Sequence, residues 1–186
     1  FAETNNGFKV FRTTYKEARD ACELCASNLA PRVKDLKGDK VGLYMSNSER
    51  WIEVFWAILM CGKSPLLLNT MTDTTVISHI LATYGCDVVI CDKSTINNEG
   101  TGCRMIPSDK LFVEDARLSV KEYNIPWSDS IFLMTSGTSG NIKLCEYNGI
   151  NFYHQISDSV EVIRICGQMK KHVDGMLKQS GTFREN

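Results

Sequence analysis

The sequence predicts an α/β fold: a layered parallel sheet with flanking helices, preceded by a β-hairpin. Three observations predict it. Short apolar runs of strand length, "VGLYM", "PLLL" and "DVVIC", alternate with longer segments of helical periodicity. The run "DVVIC" lacks polar alternation, as expected of a strand covered on both faces. Strand, helix, strand, helix, strand at this spacing suits parallel strands joined by right-handed crossovers.

The elements follow in order. The opening "FAETNNGFKVFRTT" reads as a hairpin, with Asn6-Gly7 supplying the φ > 0 pair of a two-residue turn. Thr14-x-x-Glu17 is a capping box. It predicts a helix carrying Ala18, Ala21, Cys22, Cys25 and Leu29 on one face, with Pro31 at its last turn or at a break. After "KGDK" comes the strand "VGLYM". Ser46-x-x-Glu49 predicts a second capped helix through "RWIEVFWAILMC", closed by Gly62. That helix is apolar on most sides, which predicts burial between layers, and Trp51, Phe55 and Trp56 read as core packing. "PLLL" is the next strand. A helix from about Asp73 carries Val76, Ile77, Ile80, Leu81 and Tyr84, and Gly85 closes it.

Beyond "DVVIC", residues 92–103 are polar and expected to form a mobile loop, and "RMI" is a further short strand. Residues 107–130 carry little pattern apart from an expected helix around Lys110 to Arg117. Ile131 to Met134 and "KLCEY" read as strands. Asn148 begins a helix bearing Phe152, Ile156, Val160 and Ile163. The tail "SGTFREN" has no core-forming pattern and is expected to be disordered.

A length of 186 residues, a net charge of −1 and 43% hydrophobic residues suit one globular domain or a substantial part of a larger one. The near-neutral balance gives no electrostatic reason to expect nucleic acid or an acidic membrane as partner. The longest apolar run, Val54 to Cys61, is too short to span a bilayer. No secretory signal is visible, and the first residue is Phe1, so a piece of a longer reading frame is expected. Cys22-x-x-Cys25 invites comparison with zinc or redox motifs, and Cys86 and Cys91 are its nearest loose match. A helical setting without a second ligand pair favours small buried hydrophobes in a reducing cytoplasm, with no metal. His79, His154 and His172 are scattered and take no role.

The stretch "IFLMTSGTSGNIK" carries the chemistry. Four hydroxyls (Thr135, Ser136, Thr138, Ser139) and two glycines (Gly137, Gly140) follow an apolar strand, and Lys143 closes the loop. Glycines let successive N–H groups converge on an anion, hydroxyls add donors, and the lysine adds mobile positive charge. A Walker loop is excluded, because Ile142 precedes the lysine and Leu144 follows it. The dinucleotide fingerprint is excluded by Ser139, where its second glycine belongs. A polar turn between strands and a phosphate cradle both remain open on composition alone.

Four segments in order, "TYKEA", "KGDKVGLYMSNSERWIEVFWAILMCGKSPLLLN", "HILATYGCDVVI" and "TSGTSGNIK", make the chain resemble the adenylate-forming (AMP-binding) superfamily. Its members include acyl-CoA synthetases, nonribosomal peptide adenylation domains and luciferases. The resemblance covers roughly residues 8–165. It implies that residues 1–178 form part of the N-terminal adenylate-forming large domain, with 179–186 as a tail.

The last segment is similar to the family's phosphate loop, T-S-G-T-T-G-x-P-K-G. It implies that Thr135, Ser136, Gly137, Thr138, Ser139, Gly140 and Lys143 hold the β- and γ-phosphates of ATP. Ser139 keeps the hydroxyl of a threonine. Ile142 replaces the proline, so the loop loses a fixed φ and greater mobility is expected. Leu144 replaces a glycine, and its side chain is expected to restrict the path of the next strand.

For a full-length parent the resemblance implies ATP, Mg2+ and CoA, and a carboxylic acid activated as an acyl-adenylate and passed to a thiol. "MSNSERWIE" and Asn69 look more like acyl-CoA synthetases, which points toward fatty acid metabolism. The family's adenine, ribose and adenylation-lysine motifs lie beyond the 186 residues. No catalytic residue is therefore assigned, and the chain alone is expected to be inactive. Self-association through the apolar surface where further chain would pack is also expected. The alternatives are a non-catalytic nucleotide-binding or interaction module, and an unrelated α/β phosphate-binding protein.

Overall fold

Strands β1 (Ala2–Asn5) and β2 (Phe8–Phe11) pair antiparallel, with Asn5 opposite Phe8, so two residues separate them as in a tight hairpin. The computed structural model describes residues 2–5, 8–92, 103–113, 127–135 and 142–179. The turn at Asn6-Gly7, most of the 92–103 loop, residues 114–117 of the expected helix, and the tail from 180 lie outside the described residues. So do Ser136 to Asn141.

Helix α1 (Tyr15–Val33) starts at the expected capping box: Thr14 Oγ1 accepts from Glu17 N at 3.2 Å, and Glu17 Oε2 accepts from Thr14 N at 2.7 Å. It runs through Pro31, and Lys34 N still donates to the Ala30 carbonyl at 3.0 Å. Strand β3 (Lys40–Tyr44) leads to α2 (Glu49–Met60). Here the expected cap is corrected. Ser48, not Ser46, caps α2, with its hydroxyl accepting from Trp51 N at 3.2 Å. Ser46 is held elsewhere, because its N–H donates to Asp92 Oδ2 at 3.0 Å.

Gly62 adopts φ +67° after α2, a left-handed conformation that only glycine takes without strain. Gly62 N then reaches the Leu59 carbonyl and Lys63 N the Ile58 carbonyl, at 2.9 and 3.2 Å. Strand β4 (Ser64–Leu67) leads to α3 (Thr74–Thr83), capped by Asp73, whose Oδ1 accepts from Thr75 N at 2.8 Å. Gly85 closes α3 in the same manner as Gly62 closes α2. Strands β5 (Val88–Cys91) and β6 (Arg104–Pro107) follow. A short 3-10 helix at Ser108–Leu111 comes next, ahead of the expected Lys110 to Arg117 helix. Its place is set by Asn28 on α1, which is buried and donates from Nδ2 to the Leu111 and Val113 carbonyls at 3.1 and 2.9 Å.

The last strands are β7 (Ile131–Thr135) and β8 (Lys143–Tyr147), and the sheet order is β6-β5-β3-β4-β7-β8. The ladders β3–β4, β3–β5, β4–β7 and β5–β6 are all parallel. Strand β8 runs the other way at the edge. Thr135 Oγ1 meets the Lys143 carbonyl at 3.2 Å, and Ser130 Oγ meets Glu146 Oε1 at 2.8 Å. Partners that move in opposite directions along the chain define an antiparallel pair. The expected parallel sheet thus carries one reversed edge strand.

The pleat sorts side chains between two cores. Val41, Leu43, Val88 and Ile90 join α1 and α2 residues such as Leu29 and Ile58 on one face. Tyr44, Val89 and Cys91 join Ile77, Ile80 and Leu81 of α3 on the other. Gly42 also faces α3, where a Cβ would come within 2.9 Å of Val89 Cγ2 and 3.4 Å of Leu81 Cδ2. Trp51 and Phe55 stack at 5.6 Å against the first core, but Trp56 is 43% exposed. For Trp56 the expectation of core packing is corrected.

The chain divides into two units, Phe1–Glu146 and Tyr147–Asn186. The second contains α4 (Gly149–Gln179), in which Phe152 meets Tyr147 edge-on at 6.1 Å while Ile156, Val160 and Ile163 are exposed. Among the described residues no helix is long and apolar enough to cross a membrane.

Candidate functional site

Open α/β sheets bind ligands outside the carboxyl ends of their strands, where successive crossovers leave toward opposite faces. Helix α2 follows β3 on one face and α3 follows β4 on the other. The switch point therefore lies between β3 and β4.

Polar groups gather where the strands end. Asp92, directly after β5, accepts from Ser46 N at 3.0 Å and from Ser108 Oγ at 3.3 Å. One carboxylate thus ties the exits of β3 and β5 to the turn after β6. Tyr44 OH donates to the Thr70 carbonyl at 3.4 Å, and Asn69 Oδ1 accepts from Met71 N at 2.9 Å. These bonds fix the exit of β4. Cys91, beside Asp92, has its thiol pushed up to about 11, first by burial and then by the Asp92 charge, so it is neutral at physiological pH.

Strand β7 lies against β4 and brings Thr135 to this same edge. Thr135 ends β7 and Lys143 begins β8, exposed. The 3.2 Å bond from Thr135 Oγ1 to the Lys143 carbonyl joins the two ends of the loop. Of the seven residues proposed from the sequence, these two are brought together. Ser136, Gly137, Thr138, Ser139 and Gly140 lie outside the described residues.

The two departures from the family pattern have a visible use. Ile142 and Leu144 are half-buried and pack against the α3-side core. Packing, instead of a fixed proline φ, anchors the lysine end of the loop.

Six of the eight cysteines behave as core residues. Cys22, Cys25, Cys61, Cys86, Cys91 and Cys103 are buried, while Cys145 and Cys166 are exposed; none forms a disulfide. Burial pushes the Cys25 thiol far above its ordinary range and the Cys61 thiol up to about 12. Among the described residues no three His, Cys, Asp or Glu side chains converge as metal ligands.

Sequence reasoning missed Asp92 and Asn28. For Asp92 a signal existed, since it directly follows a fully apolar strand in an alternating α/β pattern. For Asn28 there was none, because its partners lie 83 and 85 residues away.

The model of a family described as AMP-binding enzyme matches residues 4–175. The N-terminal subdomain of Klebsiella oxytoca NpsA, in complex with 3-hydroxybenzoyl-AMSN, is similar with a TM-score of 0.62 at 22% identity, over 77% of this chain and 36% of that one. The o-succinylbenzoate CoA synthetase (MenE) of Bacillus subtilis, in complex with the acyl-adenylate intermediate OSB-AMP, gives 0.67 at 24%, over 84% and 41%. The same synthetase in complex with AMP gives 0.63 at 21%, over 83% and 40%. The chain thus spans between 36% and 41% of the length of these structures. No curated protein sequence matches it. At these identities the likeness establishes the fold, that of the N-terminal subdomain.

Proposed function

Because the chain belongs to the AMP-binding enzyme family, we propose that its β7–β8 loop holds the outer phosphates of ATP during acyl-adenylate formation. The observation that carries this reading is the pairing of Thr135 and Lys143 at the carboxyl edge of the sheet, beside the β3–β4 switch point. Thr135 to Gly140 supply N–H donors. Ser136, Thr138 and Ser139 add hydroxyl donors, while the Thr135 hydroxyl is committed to the Lys143 carbonyl. Lys143 supplies charge for terminal phosphate oxygens. Their work is orientation: the β- and γ-phosphates are held so that a carboxylate meets the α-phosphorus in line. Magnesium takes most of its ligands from phosphate and water, so it requires no cage of acidic side chains here. When bound, it neutralises phosphate charge.

The acid is a carboxylic acid of unassigned class. The names of the similar structures point to aromatic acids for those proteins, which supports an aryl acid at least as well as a fatty acid. Transfer to CoA is supported by "MSNSERWIE" and Asn69, and one of the similar proteins is a CoA synthetase. A cytoplasmic setting belongs to the same proposal, and the six thiols packed as core residues agree with it.

The test is NMR titration of the chain with pyrophosphate and with ATP. Expected are shifts centred on Thr135–Lys143 and millimolar-class affinity, roughly −4 kcal/mol, reduced in Lys143→Ala. Shifts confined to other regions, or unchanged affinity in the variant, would refute the assignment. The reading gives these 186 residues a holder for the outer phosphates only. Carboxylate-dependent pyrophosphate exchange by the chain alone is therefore expected at the blank level.

A further inference from the structure

Residues of α1 and α2 line a cavity of about 760 Å³. That is a volume suited to a small molecule. Its walls are mostly apolar: Ala18 and Cys22 from α1, Met60 and Trp56 from α2, and Trp127 from the chain before β7. The two indoles stand 6.2 Å apart at 54°, forming two sides of a corner. Trp127 is held there by its neighbour, since Ser128 N donates to the Leu59 carbonyl at 3.1 Å and Ser128 Oγ meets Ser64 Oγ at 2.8 Å.

The polar lining has one sign in excess. Among the lining residues Glu23, Glu49 and Glu53 stand against one cation, Arg19, which is bound to Glu23 at 2.7 Å. Arg50, outside the lining and stacked on Phe112 at 4.4 Å, attracts Glu53 without forming an ion pair with it. Glu49 accepts from the Thr13 hydroxyl. Glu53 is different. It is only 8% exposed, yet among the described residues no hydrogen bond or ion pair reaches its carboxylate. No fully enclosed side-chain oxygen or nitrogen among those residues lacks a partner. The Glu53 oxygens must therefore open onto the cavity they line. An isolated carboxylate at the base of an apolar recess is costly to keep charged, and a cation entering that recess relieves the cost.

We propose that the α1–α2 cavity binds a protonated hydrophobic amine, with Glu53 as its counter-ion and Trp56 and Trp127 as its walls. An ammonium beside Glu53 lies within reach of the indole faces, which attract cations, while the organic body covers Ala18, Cys22 and Met60. A carboxylate ligand meets three glutamates and is excluded by charge. A neutral ligand gains the apolar contact and leaves Glu53 unpaired.

The experiment titrates the chain with phenethylammonium, 2-phenylethanol and 3-phenylpropanoate, followed by tryptophan fluorescence and NMR. The amine is expected to bind at least about tenfold more tightly than the alcohol, with the phenylpropanoate weakest. Glu53→Gln should bring the amine down to the level of the alcohol. Ala18→Phe, which fills the recess from the opposite wall, should exclude both. Equal affinity for amine and alcohol, an unchanged Glu53→Gln, or preference for the carboxylate would each overturn the proposal. Binding of a lysine-bearing peptide without binding of phenethylammonium would overturn it in favour of a protein segment. Should Glu53→Gln fail to fold, the wild-type amine-to-alcohol ratio and Ala18→Phe decide the matter.

Discussion

Thr135 Oγ1 donates to the Lys143 carbonyl at 3.2 Å, across eight positions of chain. A side chain at the end of one strand thus holds the backbone at the start of the next, and the loop between them has a fixed mouth. Thr135→Val keeps the β-branched shape and removes the donor. A net hydrogen bond is worth about 1 kcal/mol, so pyrophosphate affinity should fall by no more than roughly fivefold. Lys143→Ala should cost more, because it removes charge. Calorimetric titration of both variants orders the two effects, and the reverse order would mean that the mouth matters more than the cation.

Glu53 makes stability depend on pH. Burial, and then the Glu49 charge, push its carboxyl above the ordinary range, against the opposing pull of Arg50. A group whose pKa is raised by folding stabilises the folded state only while it is protonated there. That contribution is full below the unfolded value and is lost as pH rises through the folded one. Glu53→Gln stays neutral throughout, so its melting temperature should exceed that of the wild type at neutral pH. The gap should close in acid, below the ordinary carboxylate range. A gap that stays constant across thermal melts at both pH values would contradict the assigned burial.

Two serines in "MSNSERW" compete for the same helix, and mutation separates them. Ser48→Ala removes the hydroxyl that caps α2 and should cost about 1 kcal/mol. Ser46→Ala removes no cap, and its backbone bond to Asp92 survives. Urea unfolding of the two variants should therefore show a shifted midpoint for position 48 and almost none for position 46.

Gly42→Ala tests the α3 side of the sheet. The added methyl would lie 2.9 Å from Val89 Cγ2 and 3.3 Å from Leu68 Cδ1, inside a packed core. Overpacking of this kind costs about 1–3 kcal/mol. A thermal melt unchanged by the substitution would show that α3 is free to move away.

Much of this fold was legible because its punctuation is local. Thr14 with Glu17, Asp73, Gly62 and Gly85 each act within a few residues, and each ends or starts a helix where expected. The errors have a common cause in distant partners. Ser46 carries a plausible capping pattern, but its N–H is claimed by Asp92, 46 residues on. Trp56 has the composition of a core residue, yet it faces a recess whose adjoining wall comes from Trp127. The make-up of the proposed phosphate loop, glycines, hydroxyls and a lysine in one run, was legible. Its position was not, since the sheet order that sets β7 beside β4 is a property of the whole chain.

The β4–β7 ladder is also expected to set the order in which the molecule assembles. Strands β3, β4 and β5 find one another across short crossovers, whereas Leu66 must wait for Phe132, and Leu67 for Leu133. Closing so long a loop costs entropy before any contact repays it, so β7 is expected to join a sheet already formed. The same ladder is where the sheet should open first under mild denaturant, releasing β7 and β8 while β3 to β5 stay folded. Hydrogen exchange at the amides of Phe132 to Thr135 should then run ahead of that at Val88 to Cys91. The segment proposed to hold phosphate would be the last to arrive and the first to leave.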